Sequence, residues 1–353
     1  MRLPRSLTTA VGLAVVSALA LTACAPETTD DAGTAEDTAA TESADGATDE
    51  FPVTITHALG ETVIESAPER VATWGWGSTE AALAVGVEPI GVSEQIFTVG
   101  EQALLPWVEE EYDALGAEHP VIFTDAEGGA SVPYEEFVEA DPDLILAPYS
   151  GLTQEQYDVL SDIAPVVAYP ESPWVTPWDE IVTITAQALG RSEAGEQVLA
   201  DIDTYLTDLA AEIPEAEGKT FAAIVDSPSE GLVYVYTPAD PRVAVLENLG
   251  IASAPSVAEL DTSDGGFFYT LSYEELDKLE SDFVIAYTYT EEEAATFGES
   301  DELQAIPAVA AGDVVKVVGN VAVSSVSPPT ALSYDWPDGV PAIADQLAAI
   351  YGG

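Results

Sequence analysis

The chain has 353 residues and carries 64 acidic against 8 basic side chains, a formal charge of −56. That balance excludes nucleic acid as a partner, because affinity for a phosphate backbone comes from Lys and Arg. Length and a 47% hydrophobic content suit more than one buried core, and the single cysteine, Cys24, leaves no disulfide within the chain.

Arg2 and Arg5 precede an apolar stretch from Val11 to Leu21 that ends in Leu21-Thr22-Ala23-Cys24. The charged, hydrophobic and small-residue regions follow one another as in a secretory signal, and the stretch is too short to span a bilayer comfortably. Cys24 directly after Leu-Thr-Ala resembles the bacterial lipobox, whose thiol is acylated after cleavage. Residues 1–23 are therefore expected to be a signal peptide and Cys24 a lipidation site, which places the protein outside the cell, anchored to the outer face of the cytoplasmic membrane. Residues 24–50 contain almost only Ala, Thr, Gly, Ser and acids, which cannot bury a core. Such a coil reaches roughly 30 Å and reads as a flexible acidic tether.

Val53 to Thr56 and Glu61 to Glu65 flank Leu59-Gly60 and predict a hairpin. Arg70 to Trp74 reads as a strand, Thr79 to Val85 as a helix with Ser78 as N-cap and Gly86 as stop, and Pro89 to Val92 as a strand. Strand-helix alternation continues through Val121 to Phe123 and Pro165 to Ala168, which argues for parallel α/β layers over residues 51–175. Residues 176–216 change character, with helical spacing in Trp178 to Leu189 and Ser192 to Ile213. A helix of about 20 residues spans roughly 30 Å and suits a strut. Residues 217–353 return to α/β alternation, from Thr220 to Val225 through a final helix near Ala342 to Ile350.

One pattern occurs twice. Tyr134-Glu135-Glu136-Phe137 leads into Pro142-Asp143-Leu144-Ile145, and 139 residues later Tyr273-Glu274-Glu275-Leu276 leads into Ser281-Asp282-Phe283-Val284. The offset is close to a whole domain, so the expected fold is two Rossmann-like α/β lobes joined by one long helix, with the ligand cleft between them.

Together with His57-Ala58-Leu59-Gly60-Glu61-Thr62, Pro68-Glu69-Arg70-Val71 and the run Glu80 to Val92, these repeats resemble the ABC-importer substrate-binding lipoproteins that collect ferric siderophores, haem or cobalamin. The opening strings are most similar to the iron-siderophore branch. The resemblance implies a monomeric receptor, with no enzymatic activity and no cofactor, that passes its ferric siderophore to an ABC permease dimer. It also implies that one glutamate per lobe docks on permease arginines, by position Glu135 and Glu274. Ser272 to Glu275 has capping-box spacing, which assigns Glu275 to the helix start and leaves Glu274 pointing outward. Acids in a first helical turn also simply favour the dipole, by about 0.3 to 1 kcal/mol. A haem or cobalamin receptor of the same fold, or a surface lipoprotein that binds a protein partner, are the alternatives.

Cleft residues are sought just after strands. Trp74 and Trp76 follow the second strand region, Tyr149 follows the first repeat strand, and Trp174 precedes the strut. Tyr236, Tyr269 and Tyr287 hold similar positions in the second lobe, and exposed aromatics of this kind suit a large, partly apolar chelate. Arg242 follows Asp240-Pro241 at a helix start, where the dipole disfavours a cation. It either faces the oxygens of a ferric chelate or pairs locally with Asp240 or Glu247. His57 and His119 are the only histidines, so a directly bound metal is not expected. Gly75-Trp76-Gly77 lacks the third glycine of a dinucleotide fingerprint, Glu80 standing in its place, and no Gly-x-Ser-x-Gly elbow is present. Most of the carboxylates read as a solvated acidic surface suited to a salty environment, where counterions screen self-repulsion. A secondary reading is that the field repels anionic ligands and favours neutral or cationic ones.

Overall fold

A computed structural model describes residues 48–95, 104–125, 128–326 and 331–352. The signal segment, Cys24 and most of the tether lie outside the described residues.

The first lobe opens with a hairpin, β1 (Val53–His57) and β2 (Gly60–Ile64). It continues through β3 (Val71–Thr73), α1 (Ser78–Ala84), β4 (Gly91–Ser93), α2 (Pro106–Leu115), β5 (Val121–Phe123), α3 (Tyr134–Ala140), β6 (Leu144–Ala147), α4 (Gln154–Ser161) and β7 (Val166–Ala168). Strands β5-β4-β3-β6-β7 form one parallel sheet in that order. Its central strands β3 and β6 are buried throughout, as strands covered by helices on both faces must be. The order reverses between β3 and β6, so the chain exits β3 and β6 toward opposite flanks and leaves a crevice beyond their carboxyl ends.

Two helices follow, α5 (Trp178–Ala188) and the 21-residue α6 (Ser192–Glu212). They pack closely because Gly195 has no side chain; a Cβ there would come within 2.5 Å of Ala186 Cβ. Along α6, Val198 and Leu199 lie on first-lobe clusters, while Ile202 and Leu206 belong to the core of the second lobe, with Trp178 among them. One helix thus packs one side against both lobes.

The second lobe comprises β8 (Thr220–Ser227), β9 (Leu232–Tyr236), α7 (Pro241–Glu247), β10 (Ala252–Ser253), α8 (Pro255–Leu260), β11 (Phe268–Ser272), a 3₁₀ segment (Tyr273–Lys278), β12 (Phe283–Thr288), α9 (Glu291–Thr296), α10 (Pro307–Ala311), β13 (Val314–Val318), α11 (Asn320–Ser325) and α12 (Val340–Tyr351). Its sheet runs β11-β9-β8-β12-β13, with β10 beside the start of β8. The lobe alternates α and β as expected, but its sheet is mixed: β9 is antiparallel to both β8 and β11, since β9 returns from β8 through a tight turn with no crossover helix.

The sequence repeat has a mechanical meaning. Asp143 accepts the backbone N–H groups of Glu69 and Arg70 at 2.8 and 2.9 Å, and its own N–H donates to Arg70. Asp282 does the same for Thr220 and forms an ion pair with Lys219 at 3.6 Å. Each repeat aspartate ties the start of its strand to the neighbouring central strand. Two local expectations are corrected. Ser78 is the first helical residue of α1 and Gly77, at φ 78°, is its N-cap, because the left-handed turn delivers the chain without a capping side chain. The second repeat begins in a 3₁₀ segment with no capping box; Glu275 accepts the Ser272 hydroxyl and pairs with Lys278 at 2.8 Å.

Candidate functional site

The first-lobe wall is built at the β3 and β6 exits. After β3, Gly75 takes φ 88° and Trp76 N–H donates to the Tyr149 carbonyl, so the two exit loops lie backbone against backbone. A Cβ on Gly75 would collide with that carbonyl oxygen. The turn carries Trp76 to Tyr149 and Trp174, with ring centroids 6.4, 5.9 and 5.6 Å apart around the triangle. Trp174 has φ 62° and its indole fits between Gly129 and Gly151, where any larger residue would overlap it. Tyr149 is buried, while Trp76 and Trp174 remain partly open.

The opposing wall belongs to the second lobe. Asp240 caps α7, Pro241 starts it, and Arg242 lies in its first turn. The guanidinium donates from Nε and Nη2 to the two Asp240 oxygens at 2.7 and 2.8 Å. Its carbon lies 3.6 Å from the Tyr236 ring centroid and 5.6 Å from that of Tyr287. Burial works against the charge of Arg242, but Asp240 and Tyr236 outweigh it, so its pKa is raised well above the ordinary value. Burial pushes Tyr236 up to about 12, with Arg242 pulling the other way. The Tyr287 hydroxyl is fully buried and has no hydrogen-bond partner among the described residues. Tyr149 joins the walls electrostatically: burial raises its pKa, Asp240 raises it further, and Arg242 lowers it.

The expected aromatics therefore divide. Trp76, Tyr149 and Trp174 come together on one wall, and Tyr236, Arg242 and Tyr287 on the other. Trp74 is corrected: it is fully buried in the first-lobe core and packs edge-on against Phe137 at 5.9 Å, because it continues the inward side of β3. Tyr269 is also corrected. The antiparallel register of β11 on β9 turns it to the other sheet face, among Val233, Leu271 and Leu276. Tyr289 was not singled out from the sequence, although it lies one residue beyond β12 and packs on the same cluster as Ile285 and Tyr287, and Arg242 acts on its hydroxyl. Asp226, Glu293 and Glu299 line a cavity of about 470 Å³ beside Tyr287 and Tyr289, at the carboxyl ends of β8 and β12.

Glu135 and Glu274 are exposed on the repeat helices, and neither makes a hydrogen bond or ion pair among the described residues. Their neighbours are engaged: Glu136 accepts the N–H and hydroxyl of Thr124, and Glu275 is paired as described. Among the described residues no cluster of His, Cys, Asp and Glu is placed to hold a bare metal ion. No described helix is long and apolar enough to cross a membrane.

A structure of PiaA from Streptococcus pneumoniae TIGR4 in complex with ferrichrome matches this fold with a TM-score of 0.77 and 30% identity, over 85% of this chain and 99% of that one. The probable siderophore-binding lipoprotein YfiY of Bacillus subtilis is 28% identical over 246 residues, 68% of this chain and 70% of that protein. Staphylococcus aureus SirA complexed with staphyloferrin B shares the fold, with a TM-score of 0.63 at 19% identity over 85% of this chain and 97% of that one. Residues 71–318 match the family described as periplasmic binding protein, and the chain belongs to that family.

Proposed function

We propose that the protein is an extracytoplasmic receptor that binds a ferric siderophore between its lobes and delivers it to an ABC importer for iron uptake. The observation that carries this reading is the pair of facing walls, three partly open or buried aromatic rings on one lobe and a guanidinium stacked on tyrosine on the other. Large flat surfaces with few polar groups suit a bulky chelate held by shape. The similarity to a ferrichrome complex and to a siderophore-binding lipoprotein supports it. Lipidation of Cys24, suggested by the residues before it and by the lipoprotein relative, would keep the receptor at the membrane as a monomer.

The test is tryptophan fluorescence. Trp76 and Trp174 are placed to report a nearby ferric chelate, so saturable quenching by a ferric siderophore is expected, with none from its iron-free form or from cobalamin. Saturable binding of haem or cobalamin alone would replace the siderophore reading. Because α6 packs against both lobes, closure on binding is expected to be small, in the manner of shear motion.

Glu135 and Glu274 are the proposed docking pair, supported by their exposure and lack of partners on equivalent elements of the two lobes. Reversing both to Lys is expected to abolish iron uptake in cells while leaving chelate affinity unchanged. Uptake at the wild-type rate would remove the docking role and leave the receptor intact.

A further inference from the structure

Eight cations serve the whole chain, and Arg2 and Arg5 belong to the N-terminal segment. Residues 96–103, 126–127 and 327–330, which lie outside the described residues, contain neither Lys nor Arg. The remaining six can therefore be placed one by one. Arg70 donates to the Ala140 and Asp141 carbonyls at the entry to β3, and Arg191 donates to the Val85 carbonyl at the far end of α1. Lys219 pairs with Asp282 at the entry to β8, and Lys278 with Glu275 ahead of β12. Lys316 donates to the Ala294 carbonyl from the face of β13 opposite Val315 and Val317. Only Arg242 stands at the site, and both its Nε and its Nη2 are committed to Asp240, whose side chain is 1% exposed.

The site consequently contributes a neutral ion pair where a free guanidinium would contribute a positive charge. Around it lie Tyr236 and Tyr287, whose pKa values are raised by burial and which stay uncharged, and Tyr287 also borders the neighbouring cavity lined by Asp226, Glu293 and Glu299. An anionic cargo would find no uncompensated cation there to offset its charge. A neutral chelate meets only rings, hydroxyls and a compensated pair.

We infer that Asp240 is a charge filter, a specificity-determining residue that restricts the cargo to ferric chelates without net negative charge, namely tris-hydroxamates. Three monoanionic hydroxamates neutralise the ferric ion, whereas three dianionic catecholates leave a trianion. The inference rests on the siderophore-receptor reading and names its substrate class. Rejection of the wrong cargo arises from a residue that contacts Arg242 rather than from the ligand surface itself.

The experiment titrates the full chain with ferrichrome, a linear ferric tris-hydroxamate bearing a pendant ammonium, a ferric tris-catecholate and ferric citrate. Both hydroxamates should quench saturably, and the tris-catecholate should bind at least about a hundredfold more weakly. Asp240→Asn keeps a good N-cap for α7 but releases the charge of Arg242, and should narrow that ratio at least about tenfold. Were this variant not to fold, Arg242→Gln gives the reverse test, since the unpaired Asp240 should widen the ratio. A tris-catecholate or citrate chelate bound as tightly as ferrichrome overturns the filter and leaves the receptor reading standing. A ratio unmoved in folded Asp240→Asn overturns the assignment to Asp240. Silence toward every chelate overturns the receptor reading itself.

Discussion

A short helix near the cleft in each lobe, α1 and α7, begins with a largely buried charge, and the two lobes settle it in opposite ways. Helix α1, after β3, buries Glu80 in its first turn; helix α7, which leads to β10 beside β8, holds Arg242 at the matching end with its side chain only 11% exposed. A carboxylate there lies with the helix dipole, a guanidinium against it, a difference of about 0.3 to 1 kcal/mol on each side. Glu80 accordingly makes do with one side-chain partner, the Trp107 indole N–H at 3.2 Å. Arg242 takes three contacts from one residue: Asp240 accepts its backbone N–H at 2.8 Å as the cap and its guanidinium through both oxygens. A charge set against its helix requires its own counter-charge, and that requirement neutralises the cleft.

The largest test of this contrast removes the counter-charge. Asp240→Ala strips α7 of its cap and leaves Arg242 buried and unpaired, which should cost about 3 to 5 kcal/mol in urea denaturation. A loss below about 1 kcal/mol, the range of a surface ion pair, would show that solvent reaches the guanidinium and that the pair does not hold the second lobe's wall.

Much of this architecture was legible beforehand, and the reasons are specific. The repeat around Asp143 and Asp282 could be read because the strand entry it ties needs the same acid in each lobe, and the helix start at Asp240-Pro241 because cap and proline are local signals. Side-chain direction at the strand exits was not legible. Trp74 and Trp76 differ only by a left-handed Gly75, and which of them faces the core depends on the approach of the Tyr149 loop from 73 residues away in sequence. Tyr269 was misplaced for a similar reason, since its face is set by its antiparallel partner β9, which no local signal around Tyr269 announces. The burial of Glu80 gave no local sign either; its partner Trp107 stands on a different helix.

The smallest effect belongs to Glu80, and its pH dependence fixes the sign. Burial raises the Glu80 pKa, with its own backbone N–H and the Trp107 indole opposing the shift, and the neighbouring Tyr112 phenol on α2 is itself raised by burial and by the nearby acids Glu88 and Glu80. A carboxyl whose folded-state pKa exceeds its unfolded value contributes stability that is complete below the unfolded value and is lost as pH rises through the folded one. Wild type should therefore lose stability relative to Glu80→Gln as pH climbs above the ordinary 4.5. The glutamine oxygen still accepts the Trp107 N–H, so the variant should be more stable at neutral pH by on the order of 1 kcal/mol and indistinguishable from wild type in acid. Every other carboxylate titrates alike in both proteins, so the difference between their denaturation curves isolates this one group. A gap independent of pH would mean that α1 pays no penalty for a buried negative charge, and the asymmetry between α1 and α7 would then rest on Arg242 and Asp240 alone.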